Sequence, residues 1–291
     1  MALFGLLNVN KPSGVTSRRV VDQIQRLVKP AKVGHAGTLD PLASGVLVIG
    51  VGQATRLVEY VQQMPKRYRA TFLLGRSSDT EDIEGVVVPL PNAPQPSDAD
   101  LERAIAELTG EIEQRPPAYS ALKISGRRAY ALARAGEDVD LAPRKVIIYR
   151  AELMRYDYPE LCIDIECGSG TYIRSFGRDL AERVGTAAVM SALQRTAIGH
   201  FTLEEAIDAR RLTRENIAGR MLPPTLAVRG LMPECVIAQS ETQCLKNGLS
   251  IAAPPDAPDR CAALDEEGAL VALLRLDPDG AFWPAKYFPT E

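Results

Sequence analysis

The feature that most constrains this chain is a glycine-punctuated loop that runs directly into an apolar segment. The loop spans residues 34–45 and contains three glycines, and residues 46–51 then have the sequence Val-Leu-Val-Ile-Gly-Val. A continuous apolar run of this length predicts a strand that is buried on both faces of a sheet. Because Pro41 biases the residue before it toward extended backbone, the loop is suited to presenting the Asp40 side chain.

The other helices and strands are predicted from apolar spacing and from start and stop signals. The segment after Thr16 has helical spacing and stops at Pro30, and residues 97–100 resemble a capping box whose helix ends before Gly110. Residues 79–85 are predicted to form an acidic loop. Further helices are predicted at 127–135 and 175–184, and strands at 68–74, 146–149, 161–166, 270–276 and 282–288.

Proline-containing segments at 222–224 and 232–233 predict a division into two domains. The first, residues 1–232, is an α+β domain. The second, residues 233–291, is a small β-domain in which 277–280 forms a turn between two strands. The hydrophobic content of 46% and the charged content of 24% are ordinary for a globular protein.

Several functional classes are excluded by composition. The first seven residues are too short for the apolar part of a signal peptide, and no apolar run is long enough to span a bilayer. We therefore expect a cytoplasmic protein that does not associate with membranes. Cys162 and Cys167 lie in one predicted strand with side chains on opposite faces. With five cysteines and only two histidines in the chain, we predict reduced, structural thiols and no metal site.

The distribution of charge along the chain is more informative about a binding partner than the net charge. The net charge is −3, but residues 234–291 carry a net charge of −6, which leaves +3 on the larger part. Residues 115–145 carry seven basic and three acidic side chains, a net charge of +4, with two tyrosines interleaved. Such a segment is suited to contacting the phosphates of a nucleic acid, although a solvated basic helix has the same composition.

Five segments, in order along the chain, resemble the TruB family of pseudouridine synthases, which modify the T-arm of transfer RNA. They are residues 11–17 (Lys-Pro-Ser-Gly-Val-Thr-Ser), the loop 34–45 (Gly-His-Ala-Gly-Thr-Leu-Asp-Pro-Leu-Ala-Ser-Gly), residues 66–80 (with Lys-Arg-Tyr, Leu-Gly and Asp-Thr), residues 117–130 (Pro-Ala-Tyr-Ser-Ala-Leu-Lys, then Gly126 and Tyr130) and residues 170–174 (Gly-Thr-Tyr-Ile-Arg). The resemblance covers roughly residues 6–193. One glycine-rich loop alone is weak evidence, whereas five ordered segments are specific.

This resemblance implies a fold and an activity. The fold is α+β, with a catalytic domain built on a mixed, largely antiparallel sheet and a small β-barrel-like domain of the PUA-like type. The activity is the isomerisation of the uridine at position 55, in the T-loop of transfer RNA, to pseudouridine. No metal, nucleotide or other cofactor is implied. The enzyme is expected to act as a monomer that needs no protein partner.

The resemblance also implies a catalytic pair. Asp40 matches the catalytic aspartate of the family, and Arg174 matches the arginine that pairs with it. A carboxylate can act as a nucleophile or as a general base without an external cofactor, and the sequence leaves both routes open. A nearby guanidinium keeps the carboxylate ionised and oriented. Asp79 is a candidate second partner for an active-site cation, with an ordinary loop role as the alternative.

The remaining implied site residues bind the substrate. Tyr68 matches the tyrosine that stacks on the target uracil, and Tyr172 and Leu193 match other walls of the pocket, although Leu193 also suits a plain core position. His35 matches a histidine that helps to reorganise the RNA loop. The segment 115–145 corresponds to an insertion that closes on the RNA as a thumb, and its proposed RNA contacts are Lys123, Arg127 and Arg128.

Two alternatives remain. The first is a synthase subunit that depends on a guide RNA, against which the basic thumb argues, since guide-dependent relatives lack such an insertion. The second is a non-catalytic module that folds RNA. Such a module would need the pocket but not Asp40, so the joint presence of Asp40, Arg174 and Tyr68 favours an enzyme.

Overall fold

The computed structural model describes residues 3–120, 122–124, 126–137, 139 and 141–289. Its α-helices are α1 Ser17–Val28, α2 Val58–Gln63, α3 Asp98–Glu107, α4 Ala129–Arg134, α5 Ile173–Arg183 and α6 Gln239–Lys246. Its strands are β1 Gly5–Lys11, β2 Val33–His35, β3 Ser44–Val51, β4 Lys66–Leu74, β5 Arg76–Ser77, β6 Val88–Pro89, β7 Gly110–Gln114, β8 Lys123–Ile124, β9 Arg127–Arg128, β10 Arg144–Asp157, β11 Glu160–Cys167, β12 Ala188–Ile198, β13 Phe201–Thr202, β14 Ile207–Asp208, β15 Glu234–Val236, β16 Ile251–Ala252, β17 Arg260–Leu264, β18 Leu270–Leu276 and β19 Ala281–Tyr287. Short 3-10 helices occupy Gly52–Leu57, Ala209–Arg211, Ala218–Arg220 and Pro224–Ala227.

A ten-stranded mixed sheet forms the centre of the molecule. Its main order is β14-β1-β3-β12-β4-β11-β10-β7, and β13 and β2 pair with β12 and β3. The pairs β1–β14 and β3–β12 are parallel. The other neighbours are antiparallel. The predicted mixed sheet is therefore confirmed, and the buried strand predicted at 46–51 is β3, near its middle.

Helices cover this sheet at two places. α3 and α5 pack on the half that contains β4, β10 and β11, where Phe72 and Phe176 are among the buried residues. α1 packs on β1 and β3 through Val20, Val21 and Ile24. Thr16 caps α1 by accepting a hydrogen bond from the backbone of Arg19, as the start signal predicts.

Local predictions succeed except where tertiary pairing overrides them. The capping box at Ser97 is present and starts α3. The helix predicted at 127–135 starts only at Ala129, because Arg127 and Arg128 pair with β8 in a hairpin. The strand predicted at 146–149 extends over 14 residues as β10, because it continues along β11 beyond the end of β7.

The strands after residue 233 form a separate sheet, in the order β15-β17-β18-β19-β16. Asp277 closes the predicted turn by accepting hydrogen bonds from the backbone of Asp279 and Ala281. This second sheet shares a hydrophobic cluster with the first part of the chain: the rings of Phe4 and Phe288 stack with their centroids 5.4 Å apart. A division at 232–233 therefore separates two sheets that are joined by apolar packing.

In the described part of the chain, no helix is long and apolar enough to cross a membrane. The same residues contain no group of three or more histidine, cysteine or acidic side chains placed to hold a metal ion. All five cysteines are free thiols, with Cys167 buried and Cys162 half-buried on the opposite face of β11.

Candidate active site

The loop that carries Asp40 is fixed to the start of α1. The Ser17 hydroxyl donates to the carbonyl oxygen of Leu39 at 3.0 Å and accepts from the Leu39 amide at 2.9 Å. The Gly14 amide donates to the carbonyl oxygen of Pro41 at 2.8 Å. These bonds clamp the residues on both sides of Asp40, while its side chain keeps 39% of its surface exposed. Segments 11–17 and 34–45, which the sequence presents separately, therefore form one structure.

A buried lysine also stabilises this loop through hydrogen bonds to backbone carbonyl oxygens. The side chain of Lys11 is fully buried, and its ammonium group donates to the carbonyl oxygens of Val15 at 2.6 Å and Pro12 at 3.1 Å. It also reaches the Pro41 carbonyl oxygen at 3.4 Å. Burial lowers the pKa of Lys11 to about 8, and the negative charge of Asp40 opposes this decrease.

Arg174, in the first turn of α5, joins Asp40 to three other groups. Its Nη2 lies 3.1 Å from Oδ2 of Asp40 and donates to the Tyr119 carbonyl oxygen at 3.0 Å. Its Nη1 donates to the Thr80 carbonyl oxygen at 2.8 Å and lies 3.6 Å from Oδ2 of Asp82. Only 7% of the Arg174 side chain is exposed. The predicted ion pair between Asp40 and Arg174 is thus present, within a larger buried network.

Asp82, and not Asp79, is the second carboxylate near Arg174. Asp82 is 3% exposed, and its Oδ1 accepts from the Thr80 hydroxyl at 2.6 Å and from the Glu84 amide at 3.0 Å. Asp79 instead accepts a hydrogen bond from the Tyr119 hydroxyl at 3.1 Å. The acidic loop carries several carboxylates, and only the conformation of its backbone determines which one faces Arg174.

That conformation is held by contacts with β12 and α5. Asp82 forms a parallel bridge with Met190, and Glu81 adopts a φ of 60°, which is unusual for a residue with a side chain. Glu81 forms an ion pair with Arg178 and accepts from the Ser175 hydroxyl at 3.3 Å. Burial raises the pKa of Glu81, and the positive charge of Arg178 opposes the increase. The network compensates for local strain and fixes the carbonyl of residue 80 and the carboxylate of residue 82.

Asp40, Asp82 and Arg174 line a cleft of about 1080 Å³. Tyr68, Tyr172 and Leu193 are among its lining residues. Tyr172 is held by Gln114, which accepts from its amide at 2.8 Å and donates to its carbonyl oxygen at 3.1 Å. The guanidinium of Arg144 lies 5.0 Å from the centre of the Tyr172 ring. The cleft therefore combines aromatic surfaces with the exposed edge of Asp40.

Arg195 is a lining residue that the sequence analysis missed. It is 1% exposed and donates to the carbonyl oxygens of Val46 at 2.7 Å and Gly37 at 3.0 Å, which ties β12 to the loop before Asp40. Burial raises the pKa of the Tyr68 hydroxyl, and the positive charge of Arg195 opposes that increase. A single charged residue inside a strand, 188–198, that is otherwise uncharged is the sequence signal that could have identified it.

The other residues predicted to bind RNA are not among the described residues that line the cleft. His35 pairs with Ile49 in the sheet and does not line the cleft, and burial lowers its pKa. In the thumb, Arg127 forms a bidentate ion pair with Glu137, with Nη2–Oε1 at 2.8 Å and Nη1–Oε2 at 3.1 Å. Lys123 and Arg128 lie in the β8–β9 hairpin, and their side chains are outside the described part of the structure. The RNA-contacting roles predicted for these residues stay predictions.

Comparison with known proteins defines the class. The family model described as TruB family pseudouridylate synthase (N terminal domain) matches residues 25–173. The tRNA pseudouridine synthase B of Arthrobacter sp. (strain FB24) is 43% identical over 286 residues, covering 94% of this chain and 92% of that protein. The protein of the same name from Dehalococcoides mccartyi is 38% identical over 289 residues, covering 98% of this chain and 96% of its own length. In the crystal structure of a Cbf5-Nop10-Gar1 complex, a chain 27% identical to this one superimposes with a TM-score of 0.73, covering 94% of this chain and 79% of that chain.

The fold and the cleft thus define an enzyme of the pseudouridine synthase class. The matched range includes the loop of Asp40, Tyr68 and Tyr172, and Arg174 follows directly after it. The chain belongs to the TruB family. The family and the enzymatic class predicted from the sequence are therefore confirmed, while the roles of individual residues stay predictions.

Proposed function

We propose that this protein converts the uridine at position 55, in the T-loop of transfer RNA, to pseudouridine, and that Asp40 is its catalytic carboxylate. The observation that carries the proposal is the pairing of Asp40 with the buried Arg174 at 3.1 Å, at the edge of a cleft lined by Tyr68. The names of the relatives, tRNA pseudouridine synthase B, support the choice of transfer RNA.

The reaction needs a carboxylate that is accessible and held in place. The bond between N1 of uracil and C1′ of ribose breaks, the base turns, and C5 bonds to C1′; C5 then loses its proton and N1 gains one. Asp40 serves either as a nucleophile or as a general base on the ribose. Its partial exposure leaves room for the nucleotide, while Arg174 holds the carboxylate in orientation.

Binding requires that the target uridine leave its stack. Tyr68 offers an aromatic face to the flipped uracil, and Tyr172 and Leu193 close the pocket around it. The thumb, residues 115–145, contributes phosphate contacts through Lys123, Arg127 and Arg128. His35 acts on the RNA outside the cleft, where it helps to reorganise the loop around the flipped nucleotide.

The organisation of the whole chain completes the proposal. Residues 1–232 form the catalytic domain, and residues 233–291 form a PUA-like β-domain. The separate five-stranded sheet supports this division. We further propose that the enzyme acts in the cytoplasm as a monomer on the T-arm, with no cofactor and no protein partner.

A guide-dependent synthase is the main competing function. Two observations favour the stand-alone enzyme. The relatives named tRNA pseudouridine synthase B are 38% and 43% identical, against 27% for the chain of the Cbf5-Nop10-Gar1 complex. The thumb also lies between β7 and β10 as a hairpin and a helix at the cleft, with Tyr130 and Arg134 among the lining residues. A non-catalytic RNA-folding module would not need the pairing of Arg174 with Asp40.

The test is a reaction without guide or partner. The purified full chain is incubated with an unmodified transfer RNA transcript, and pseudouridine is mapped at single-nucleotide resolution. We expect one product, at position 55. Asp40→Asn is the matched control, since asparagine keeps the size and a hydrogen bond to Arg174 but has no carboxylate; it should bind the RNA and form no product. No product with the wild type would refute the stand-alone function, and product with the variant would refute the role of Asp40.

A further inference from the structure

A second basic surface lies outside the cleft and the thumb. It is formed by residues 17–32 and 207–220, which together carry nine basic and three acidic side chains, a net charge of +6. This exceeds the +4 of residues 115–145 and contrasts with the −3 of the whole chain. We call its exposed basic residues the basic ridge: Arg18, Arg19, Arg26, Lys29, Lys32, Arg210, Arg211, Arg214 and Arg220.

The two segments form one surface because they share a core. α1 buries Val20, Ile24 and Val28 in the same hydrophobic cluster as Leu212 and Ile217. The Gln23 side chain donates to the Ala209 carbonyl oxygen at 2.8 Å, and Nη2 of Arg214 donates to the Arg26 carbonyl oxygen at 3.3 Å. Since the apolar side of each segment faces the other, their basic side chains project outward together.

Most of these charges are not neutralised by the protein. Arg18 pairs with Asp22 at 2.8 Å, and Arg210 pairs with Asp208 at 2.7 Å. Within the described residues, the other seven ridge cations have no carboxylate within ion-pair distance. Among the described thumb cations, Arg127 and Lys145 are paired with glutamates, whereas Arg115, Arg134 and Arg144 have no carboxylate within ion-pair distance. Uncompensated like charges repel one another, so a surface of this kind is suited to an anionic partner.

The ridge begins at the candidate active site. Ser17, the first residue of α1, holds the loop of Asp40, and Arg18 and Arg19 follow directly. A helix of the 12 residues Ser17–Val28 is about 18 Å long, so Lys29, directly after its last residue, lies about that far from Ser17. An RNA whose target nucleotide occupies the cleft is therefore close to one end of the ridge, and its other parts can follow the ridge away from the cleft.

We propose that the basic ridge binds the phosphate backbone of the substrate transfer RNA outside the arm that carries the target uridine. This rests on the proposed function. Arginine and lysine side chains bind phosphates without regard to sequence, so the ridge contributes affinity and orientation, while selection of the uridine stays with the cleft. The ridge thus favours the complete, folded transfer RNA over its isolated T-arm.

The test compares two variants of equal charge on two RNAs. The ridge variant combines Arg26→Gln, Lys32→Gln and Arg214→Gln, three exposed residues whose side chains contact neither the cleft nor a carboxylate. The control combines Arg103→Gln, Arg150→Gln and Arg155→Gln, which removes the same charge from three exposed arginines that are each paired with a carboxylate. These arginines lie on α3 and on β10, toward the opposite end of the large sheet from α1. The RNAs are a full-length unmodified transcript and a T-arm hairpin, and Kd is measured at several salt concentrations.

For the full-length transcript, we expect the ridge variant to raise Kd at least about tenfold and to make the slope of log Kd against log salt shallower by about two to three. The hairpin should bind within about twofold of the wild type, and the single-turnover rate at saturating RNA should not change. The control variant should leave both RNAs within about twofold of the wild type.

Three results overturn the proposal: a full-length Kd equal to that of the control variant, equal weakening for both RNAs, or an unchanged salt slope. A failure of the proposed function is distinguishable from these results. In that case the wild type would form no pseudouridine in either RNA, whereas the binding comparison would still show whether the ridge contacts RNA.

Discussion

Asp82→Asn tests whether the buried carboxylate network controls catalysis or only stabilises the fold. Asparagine has the same shape and can still accept from the Thr80 hydroxyl and the Glu84 amide, so the change removes mainly one negative charge. At 3.6 Å from Nη1 of Arg174 and an effective dielectric constant of about 20, that charge is worth about 5 kcal/mol of Coulomb attraction. Much of this is offset by the cost of burying the carboxylate.

Removing one partner of a buried pair ordinarily costs about 3–5 kcal/mol, but Asp40 still compensates Arg174 here. We therefore expect the free energy of unfolding to decrease by about 1–3 kcal/mol. With one of its four contacts weakened, Arg174 should hold Asp40 less well, and the single-turnover rate should decrease about 10–100-fold. Affinity for RNA should stay within about twofold, because Asp82 is buried.

The assay combines urea unfolding with single-turnover pseudouridine formation on an unmodified transcript. Asp164→Asn is the matched control, since Asp164 forms a comparable ion pair with Arg69, at 2.8 Å, on an exposed face of the sheet. It should change stability by less than about 1 kcal/mol and leave the rate unchanged. A wild-type rate in an Asp82→Asn protein that is clearly less stable would refute the reasoning, because Asp82 would then serve the fold alone.

Three further predictions concern other parts of the molecule. Tyr68→Ala should lower the single-turnover rate by an amount that corresponds to roughly 1–3 kcal/mol, the free energy of stacking one base, while Tyr68→Phe should keep most of the wild-type rate. Equal losses of rate in the two variants would show that the hydroxyl, and not the aromatic ring, is needed. Glu137→Gln frees Arg127 from its ion pair, so Kd for RNA should decrease about two- to threefold and the salt slope should steepen by just under one, which a salt titration measures. Burial lowers the pKa of Lys11 from 10.5 to about 8, so the unfolded chain binds more protons than the folded one between these values. The stability of the wild type relative to Lys11→Met should therefore increase by about 2 kcal/mol from pH 7 to pH 10 in urea unfolding, and a pH-independent difference would contradict this assignment.

The sequence predicted those features that depend on local patterns. The apolar run of β3, the cap at Thr16 and the capping box at Ser97 are encoded within a few residues and are present in the structure. The candidate site was predicted where it resides in contiguous segments, as with the loop of Asp40. The ion pair of Asp40 with Arg174 was inferred only through family resemblance, since no local pattern joins residues that far apart.

What escaped prediction depends on long-range geometry. Asp79 and Asp82 are both acidic residues of one loop, and only the φ of Glu81 and the bridge to Met190 turn Asp82 toward Arg174. Arg195 was missed because its partners, the carbonyls of Val46 and Gly37, belong to a strand and a loop distant in sequence. Every residue has a backbone carbonyl, so the sequence does not indicate which carbonyls will accept hydrogen bonds from Arg195.

The same geometry explains why position 174 requires an arginine. Arg174 donates to the carbonyl of Tyr119, at the base of the thumb, with the same Nη2 that pairs with Asp40. Its Nη1 serves the acidic loop through Thr80 and Asp82. Lysine in its place could not make these contacts, because its ammonium is a single point on a flexible stem, whereas the guanidinium spans both sides in one plane. The carboxylate proposed for catalysis is therefore held by a group whose orientation also depends on the thumb and the acidic loop, so a change in either can alter Asp40 without touching it.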